Sequence, residues 1–566
     1  MSLLVVALVA IAIYIAGYVL YGGFLSRVFG VDDKRVTPAV RINDGVDHVP
    51  TSPPILLGQH FASIAAVAPI VGPIVAGLAH GWVPGLLWIL LGAVFIGGTH
   101  DFAALIASIR HEARSVGELV RQYISPTGYI LFLAFVWLSL TYVVVVFADL
   151  TAAAFVAPEY GPGVATSSML YLLLAAAMGL ALYKARVPLW LATLIFLPLV
   201  CLVIWGGQKI PVEVPAIAGS PAKTWDLIIL GYCFVASIIP LWLLMQPRGY
   251  LGSFFLYAMF AAGLIGIFLG GATIQFPARL SSPLFGFTVG GTPPVFPLLF
   301  TTIACGACSG FHALVSSGTS SKQLRRERDA RPVAYGAMLL EGIVAVVALS
   351  TVMMLAPGDA RLKLAPDEIY ARGLAQFLGV IGIPVGVAIT FGKLAFATFI
   401  YDTLDVATRL GRYVLQELTG WKGRRGAVLA TLGTLLVPAI AVFYTLSGPD
   451  GKPLPLWKVF WPVFGASNQL LAALALVGLT VWMRAEGRQW VITAVPALFM
   501  AVITLWSLAL QAYEATTLRP SPIIAASALV LIALAVVVLY QGVRAFLRVK
   551  PTALTAPERE LAAATD

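Results

Sequence analysis

The chain has 566 residues, of which 60% are hydrophobic and only 11% charged, with a mean hydropathy of +0.92. That composition excludes a soluble globular enzyme or binding module. The net charge of +10 is no nucleic-acid footprint, because no polar domain exists to carry one; it is a topology signal instead.

Apolar stretches of about 20 residues, enough to cross a hydrocarbon core of roughly 30 Å, recur fifteen times. They centre on 2–22, 56–79, 83–108, 129–157, 165–183, 187–206, 225–246, 250–273, 295–318, 332–356, 377–403, 426–447, 459–483, 490–512 and 521–543. The first lacks a basic leader and a small-residue cleavage pattern, so it is expected to be a retained span. If the N-terminus is outside and the segments alternate, most of the 36 Lys and Arg fall on one side. This bias predicts an N-out, C-in protein with the cations of 409–425 and 322–331 inside. The cysteines Cys201, Cys233, Cys305 and Cys308 all lie in apolar runs and read as packing residues, not as a disulfide or metal framework. No metal ligand set and no cofactor is expected.

Segment two carries Ala68-Pro69-Ile70-Val71-Gly72-Pro73, and segment seven ends Ser237-Ile238-Ile239-Pro240. Proline removes a helical donor, so both ladders are expected to break near these residues. The two segments are five spans apart, and an odd offset inverts the second unit relative to the first. Paired broken helices in inverted repeats mark the substrate site of a secondary transporter. Pro69, Gly72, Ser237 and Pro240 are therefore expected to face substrate, with segments four and nine lining the pocket. Ionisable residues at membrane depth are functional candidates. These are His60, Asp101, Asp149, His312, Glu341, Lys393, Asp402 and Asp405. A His60–Asp101 pair would titrate near neutral pH and carry a coupling proton. Glu341 and Lys393 are further proton-coupling candidates, and Lys393 is the only Lys or Arg placed well inside a span. Asp402 and Asp405 are expected at the inner end, paired with Arg409 or Arg412. Ser309 and His312 are candidates to bind a substrate carboxylate. No nucleotide-binding Gly-rich loop and no carboxylate or histidine cluster at a membrane face appears, which disfavours a pump or an enzyme.

Three blocks bring a resemblance. Leu57-Gly58-Gln59-His60-Phe61-Ala62-Ser63-Ile64-Ala65 with His100-Asp101-Phe102, then Cys305-Gly306-Ala307-Cys308-Ser309-Gly310-Phe311-His312, then Trp461-Pro462-Val463-Phe464-Gly465-Ala466-Ser467-Asn468-Gln469, together resemble the carbon starvation protein A family of bacterial inner-membrane transporters. The sequence departs from the family pattern at Gln59, where the first of two His is expected, and at His100, where Gln is expected. It is also shorter than the longest members, by an N-terminal span. The resemblance implies an all-α polytopic membrane protein of about 15 transmembrane helices on an amino acid/polyamine/organocation (LeuT-like) fold with a 5+5 inverted-repeat core. In that scheme residues 1–30 form an accessory helix and 31–420 the core, with repeats 56–206 and 225–403. Residues 421–550 form further accessory helices and 551–566 a cytoplasmic tail. It also implies proton-coupled uptake of pyruvate or a similar small carboxylate under carbon limitation, with di- or tripeptide uptake or a non-transporting nutrient sensor as alternatives. Segment nine would then be the eighth core helix, where Ser316 and Ser317 match a sodium site of that superfamily, retained or vestigial. Expected partners are the small-molecule substrate, a proton or sodium ion and membrane lipids, but no nucleic acid.

Overall fold

The structure, a computed structural model, describes residues 2–44, 48–65, 67–217, 219–240, 242–288, 293–444, 446–447, 453–518 and 521–550. The expected tail at 551–566 lies outside the described residues. In chain order the principal helices are α1 (Leu3–Val28), α2 (Pro53–Ile64), α3 (Ala68–His80), α4 (Trp82–Arg110), α5 (Pro126–Phe155) and α6 (Gly161–Tyr183). They continue with α7 (Leu189–Gly207), α8 (Pro221–Ile238), α9 (Met245–Leu269), α10 (Leu298–Thr302), α11 (Gly310–Gly318) and α12 (Glu327–Met353). The last are α13 (Pro366–Gly379), α14 (Val385–Thr419), α15 (Gly423–Phe443), α16 (Leu456–Ala485), α17 (Val491–Leu518) and α18 (Pro522–Arg548). Strand is confined, among the described residues, to the two-residue pairing of Leu446–Ser447 with Pro453–Leu454.

Twelve of these helices are long and apolar enough to cross a membrane, and the pair α2–α3, bent by 47°, makes a thirteenth span. The chain is a multi-pass membrane protein. The two expected segments missing from that number are 225–246, whose helix stops at Ile238, and 295–318, which is broken into α10 and α11.

The chain divides into two compact units. Met1–Phe135, Ile274–Leu349 and Gly465–Asp566 form the first; Val136–Thr273 and Ser350–Phe464 form the second.

The first unit contains two broken helices packed together. Pro69 sits in the first turn of α3, where a missing N–H costs nothing, but Pro73 lies inside and leaves the Pro69 carbonyl without its helical donor. A Cβ on Gly72 would lie 2.6 Å from the Thr302 carbonyl, so only glycine lets α3 approach the end of α10 this closely. The second break, 303–309, contains no proline. Its exposed polar backbone is met by side chains. Gln469 on α16 donates its amide to Phe300 O at 2.6 Å and Ile303 O at 3.3 Å, and the Trp88 indole N–H donates to Ile303 O at 3.0 Å. Asn468 Oδ1 accepts from the Phe311 amide at 3.0 Å, serving as a cap for α11. In an apolar surround every such group must be satisfied internally. The helix break that packs against segment two thus lies in segment nine.

Wider π-helical turns at Gly17–Tyr21, Gly92–Gly97 and Arg331–Gly336 also expose carbonyls. The Tyr335 hydroxyl lies 3.3 Å from Gly17 O and 3.2 Å from Val94 O, serving two of them.

The second unit solves the same problem at the end of α8. Pro240 cannot donate to Ala236 O, four residues earlier, and Arg409 of α14 supplies the missing donor at 2.6 Å while also reaching Ile239 O at 2.8 Å. Arg248 is another buried guanidinium. It sits in the first turn of α9, 1% exposed, not in an inner loop, which corrects the expectation that Lys393 is the only cation within a span. Its Nε donates to Asp402 at 2.8 Å, and its Nη1 donates to Tyr232 at 2.7 Å and to Asp405. Asp402 and Asp405 therefore pair with Arg248, while Arg409 is spent on carbonyls.

Two consequences are measurable by thermal unfolding in detergent. Gln469→Leu strands the buried Phe300 carbonyl and takes one of two side-chain donors from Ile303 O, and should cost about 1–3 kcal/mol. Arg248→Met leaves two buried carboxylates without their guanidinium and should cost about 3–5 kcal/mol, with part of it recovered by adding Asp402→Asn and Asp405→Asn; wild-type unfolding of either single variant would refute the role given to that residue.

Candidate functional site

The first unit brings together, beside the second helix break, three of the ionisable residues singled out by sequence. Asp101 is carried by α4, just after its π-helical turn, His312 by the first turn of α11, and Glu341 by α12. All three side chains are fully buried. His312 Nδ1 lies 2.8 Å from Asp101 Oδ2, and His100 Nδ1 lies 2.8 Å from Asp101 Oδ1. Both oxygens of Asp101 are thus occupied by imidazoles. On the other side of the His312 ring, Nε2 lies 3.2 Å from Glu341 Oε2.

This geometry fixes a proton count. An ionised carboxylate only accepts, so Asp101 assigns a hydrogen to Nδ1 of His312. The remaining nitrogen, Nε2, then faces Glu341, and the two can approach only if a proton resides on one of them. That proton can be held by the imidazole or by the carboxyl. Neither Glu341 oxygen has a hydrogen-bond partner among the described residues, which leaves the carboxyl free to gain or lose it.

The expected direct pairing of His60 with Asp101 is replaced by another arrangement. His60 Nδ1 hydrogen-bonds Ser320 Oγ at 2.7 Å, and its Nε2 is buried without a partner among the described residues. The imidazole that does touch Asp101 from its own helix is His100, while Gln59 is exposed. Ser309 packs with Asn468, its Oγ 3.0 Å from Nδ2. Cys305, His312 and Glu341 also bring donor atoms within 4.8 Å of one another. The Cys305 thiol also donates to Ser309 Oγ at 3.4 Å.

The two serines differ. Ser317 Oγ donates to Ala313 O at 2.6 Å and accepts from the Val116 amide at 3.2 Å, so it is used within the helix packing. Ser316 Oγ is buried and has no partner among the described residues.

The remaining candidates belong to the second unit. Ser237 Oγ lies 3.2 Å from Thr431 Oγ1, and Pro240 ends α8 as described. Lys393 on α14 is ion-paired with Glu368 of α13, which also takes Arg372 Nε at 2.7 Å; the ammonium faces the Tyr160 ring at 5.7 Å. Sequence reasoning missed Arg248, which its Gln246-Pro247-Arg248-Gly249 setting disguises as a loop, and Asp226, which looks like a span boundary.

The family model described as Carbon starvation protein CstA matches residues 2–369 and 361–507. The chain is 31% identical to the Pyruvate/proton symporter BtsT of Escherichia coli (strain K12), over 91% of this chain and 82% of that protein. It is 33% identical to the Peptide transporter CstA of the same organism, over 88% and 80%, and 32% identical to the Peptide transporter CstA of Bacillus subtilis (strain 168), over 89% and 90%. Among solved structures, a manganese transporter mutant from Eremococcus coleocola aligns over 90% of this chain and 99% of its own at 14% identity and a TM-score of 0.46. With a family match along most of its length and relatives that are transporters, the chain belongs to the carbon starvation protein CstA family of membrane transporters.

Proposed function

We propose that this protein is a proton-coupled symporter of the bacterial inner membrane that takes up pyruvate or a similar small carboxylate. The observation that supports the coupling is the buried approach of His312 Nε2 to Glu341 Oε2 at 3.2 Å, with Asp101 on the other ring nitrogen, a geometry suited to holding a proton. The carboxylate of the substrate would meet the amide-rich start of α11 and the break between α2 and α3, where Gly72 and Pro69 thin the backbone. Proton binding and substrate binding are coupled if both favour the same conformational state. The 5+5 inverted-repeat core is retained in this reading as repeats 56–206 and 225–403, with segment seven as the inverted partner of segment two. Lys393, held by Glu368, has a structural role, and the N-terminus is outside as the charge bias implies.

Small peptides are the second reading, favoured by the peptide-transporter relatives. Purified protein in liposomes under an imposed inward proton gradient should accumulate labelled pyruvate, and excess dipeptide should leave that uptake unchanged. Dipeptide accumulation without pyruvate uptake would move the assignment to peptides. Glu341→Gln removes the carboxyl that shares the proton. It should lower the gradient-driven accumulation ratio several-fold while equilibrium exchange of pyruvate persists; full accumulation by this variant would reject the coupling site.

A further inference from the structure

The second unit holds a pair of buried acids that the coupling site above does not use. Asp226 lies in the second turn of α8, 1% exposed, and neither of its oxygens has a hydrogen-bond partner among the described residues. Asp149 of α5 is the acidic group within electrostatic reach of it. The neighbouring helices are pinned there by the edge-on contact of Phe155 with Trp225, ring centroids 5.0 Å apart.

The two acids are not equivalent. Asp149 Oδ2 accepts from the Trp457 amide at 2.8 Å, at the start of α16, where the aligned peptide dipoles favour a negative charge. Asp226 receives no donor among the described residues. The other charged or titratable groups around them are Lys223, one turn earlier on α8 and half-buried, and Tyr401 of α14, which packs on Phe155. On the α16 side, Lys458 is exposed and lies over the Trp457 ring. Two carboxylates against the single ammonium of Lys223 leave one excess negative charge in an apolar interior. An uncompensated charge there is costly, and an undonated buried carboxylate more so.

We propose that Asp149 and Asp226 form a second proton-binding site, in which the pair holds one proton in the state seen here, on Asp226, and releases it when the transporter changes state. The step is a proton transfer alone. Hydronium gives a proton to the pair and leaves as water, and the reverse occurs on release; no electrons move and no co-reactant is needed. With the His312–Glu341 proton this makes two protons per substrate. The proposal rests on the proton-coupled reading, and the two fail apart: no gradient-driven accumulation by the wild type would sink the first, whereas coupled uptake at about one proton per pyruvate would sink only the second.

The test is the proton-to-pyruvate ratio of the full-length protein in liposomes, obtained by finding the pyruvate gradient that just balances an imposed proton gradient. The wild type should give about two and Asp226→Asn about one, with accumulation still driven by the gradient. Asp149→Asn keeps an oxygen for the Trp457 amide and should also give about one, so the proposal stays testable if Asp226→Asn fails to fold. Asp226→Glu should restore about two, which separates proton binding from mere packing. A wild-type ratio of about one, or a folded Asp226→Asn or Asp149→Asn with the wild-type ratio, overturns the proposal.

Discussion

Every interruption of a helix in this protein has to be repaired from within, because hydrocarbon offers no water to the freed backbone groups. The repairs are side chains of fixed chemistry at fixed places. Amide groups serve the break at 303–309, through Gln469 and Asn468. A guanidinium serves the end of α8, where Pro240 deletes a donor and Arg409 restores it. A phenol serves two π-helical turns through Tyr335. A break repaired in this way keeps a rigid position while exposing small residues and helix ends, which is what a binding site inside a membrane needs.

The same economy governs the ionisable groups. Arg248 binds both Asp402 and Asp405 with geometry that uses most of its donors, and Lys393 is spent on Glu368. These contacts join an acid to a permanent cation of a neighbouring helix. His312 and Glu341 are different, since they meet at 3.2 Å with no permanent cation beside them among the described ion pairs, and in the proposed reading a proton completes the contact. A transporter can release such a proton without breaking the scaffold, whereas releasing a guanidinium would leave two buried carboxylates uncompensated.

Much of this was legible in the residues. The apolar runs predict twelve of the spans because length and hydropathy are direct consequences of crossing hydrocarbon. The break in segment two was visible through Pro69 and Pro73. The break in segment nine was not, because it arises from tertiary contact: Gly310 accepts the Asn468 backbone at a distance no side chain would permit, and a Cβ on Gly306 would lie 2.7 Å from the Ala345 methyl. Sequence reasoning sought proline and found segment seven, where proline ends a helix in place of interrupting one. Asp101, His312 and Glu341 stood out singly as buried charges, but lie on three helices, so their meeting needed the fold. Asn468 and Gln469 had no assignable role until the carbonyls they serve were seen.

Overall similarity does not select the substrate, since identity to a pyruvate/proton symporter and to peptide transporters is nearly the same at 31% and 32–33%. Charge movement does distinguish them. Pyruvate carries one negative charge, so one accompanying proton makes its entry electroneutral and indifferent to membrane potential. A zwitterionic peptide with one proton already moves a positive charge. With a second proton, pyruvate entry becomes electrogenic as well, and each 100 mV adds about 2.3 kcal/mol of driving force per net charge. For a cell scavenging a dilute anion against an interior-negative potential, that difference decides whether the potential helps uptake or leaves it to the pH gradient alone. If each unit holds one proton, on His312–Glu341 in the first and Asp149–Asp226 in the second, the carrier draws on both the potential and the pH gradient.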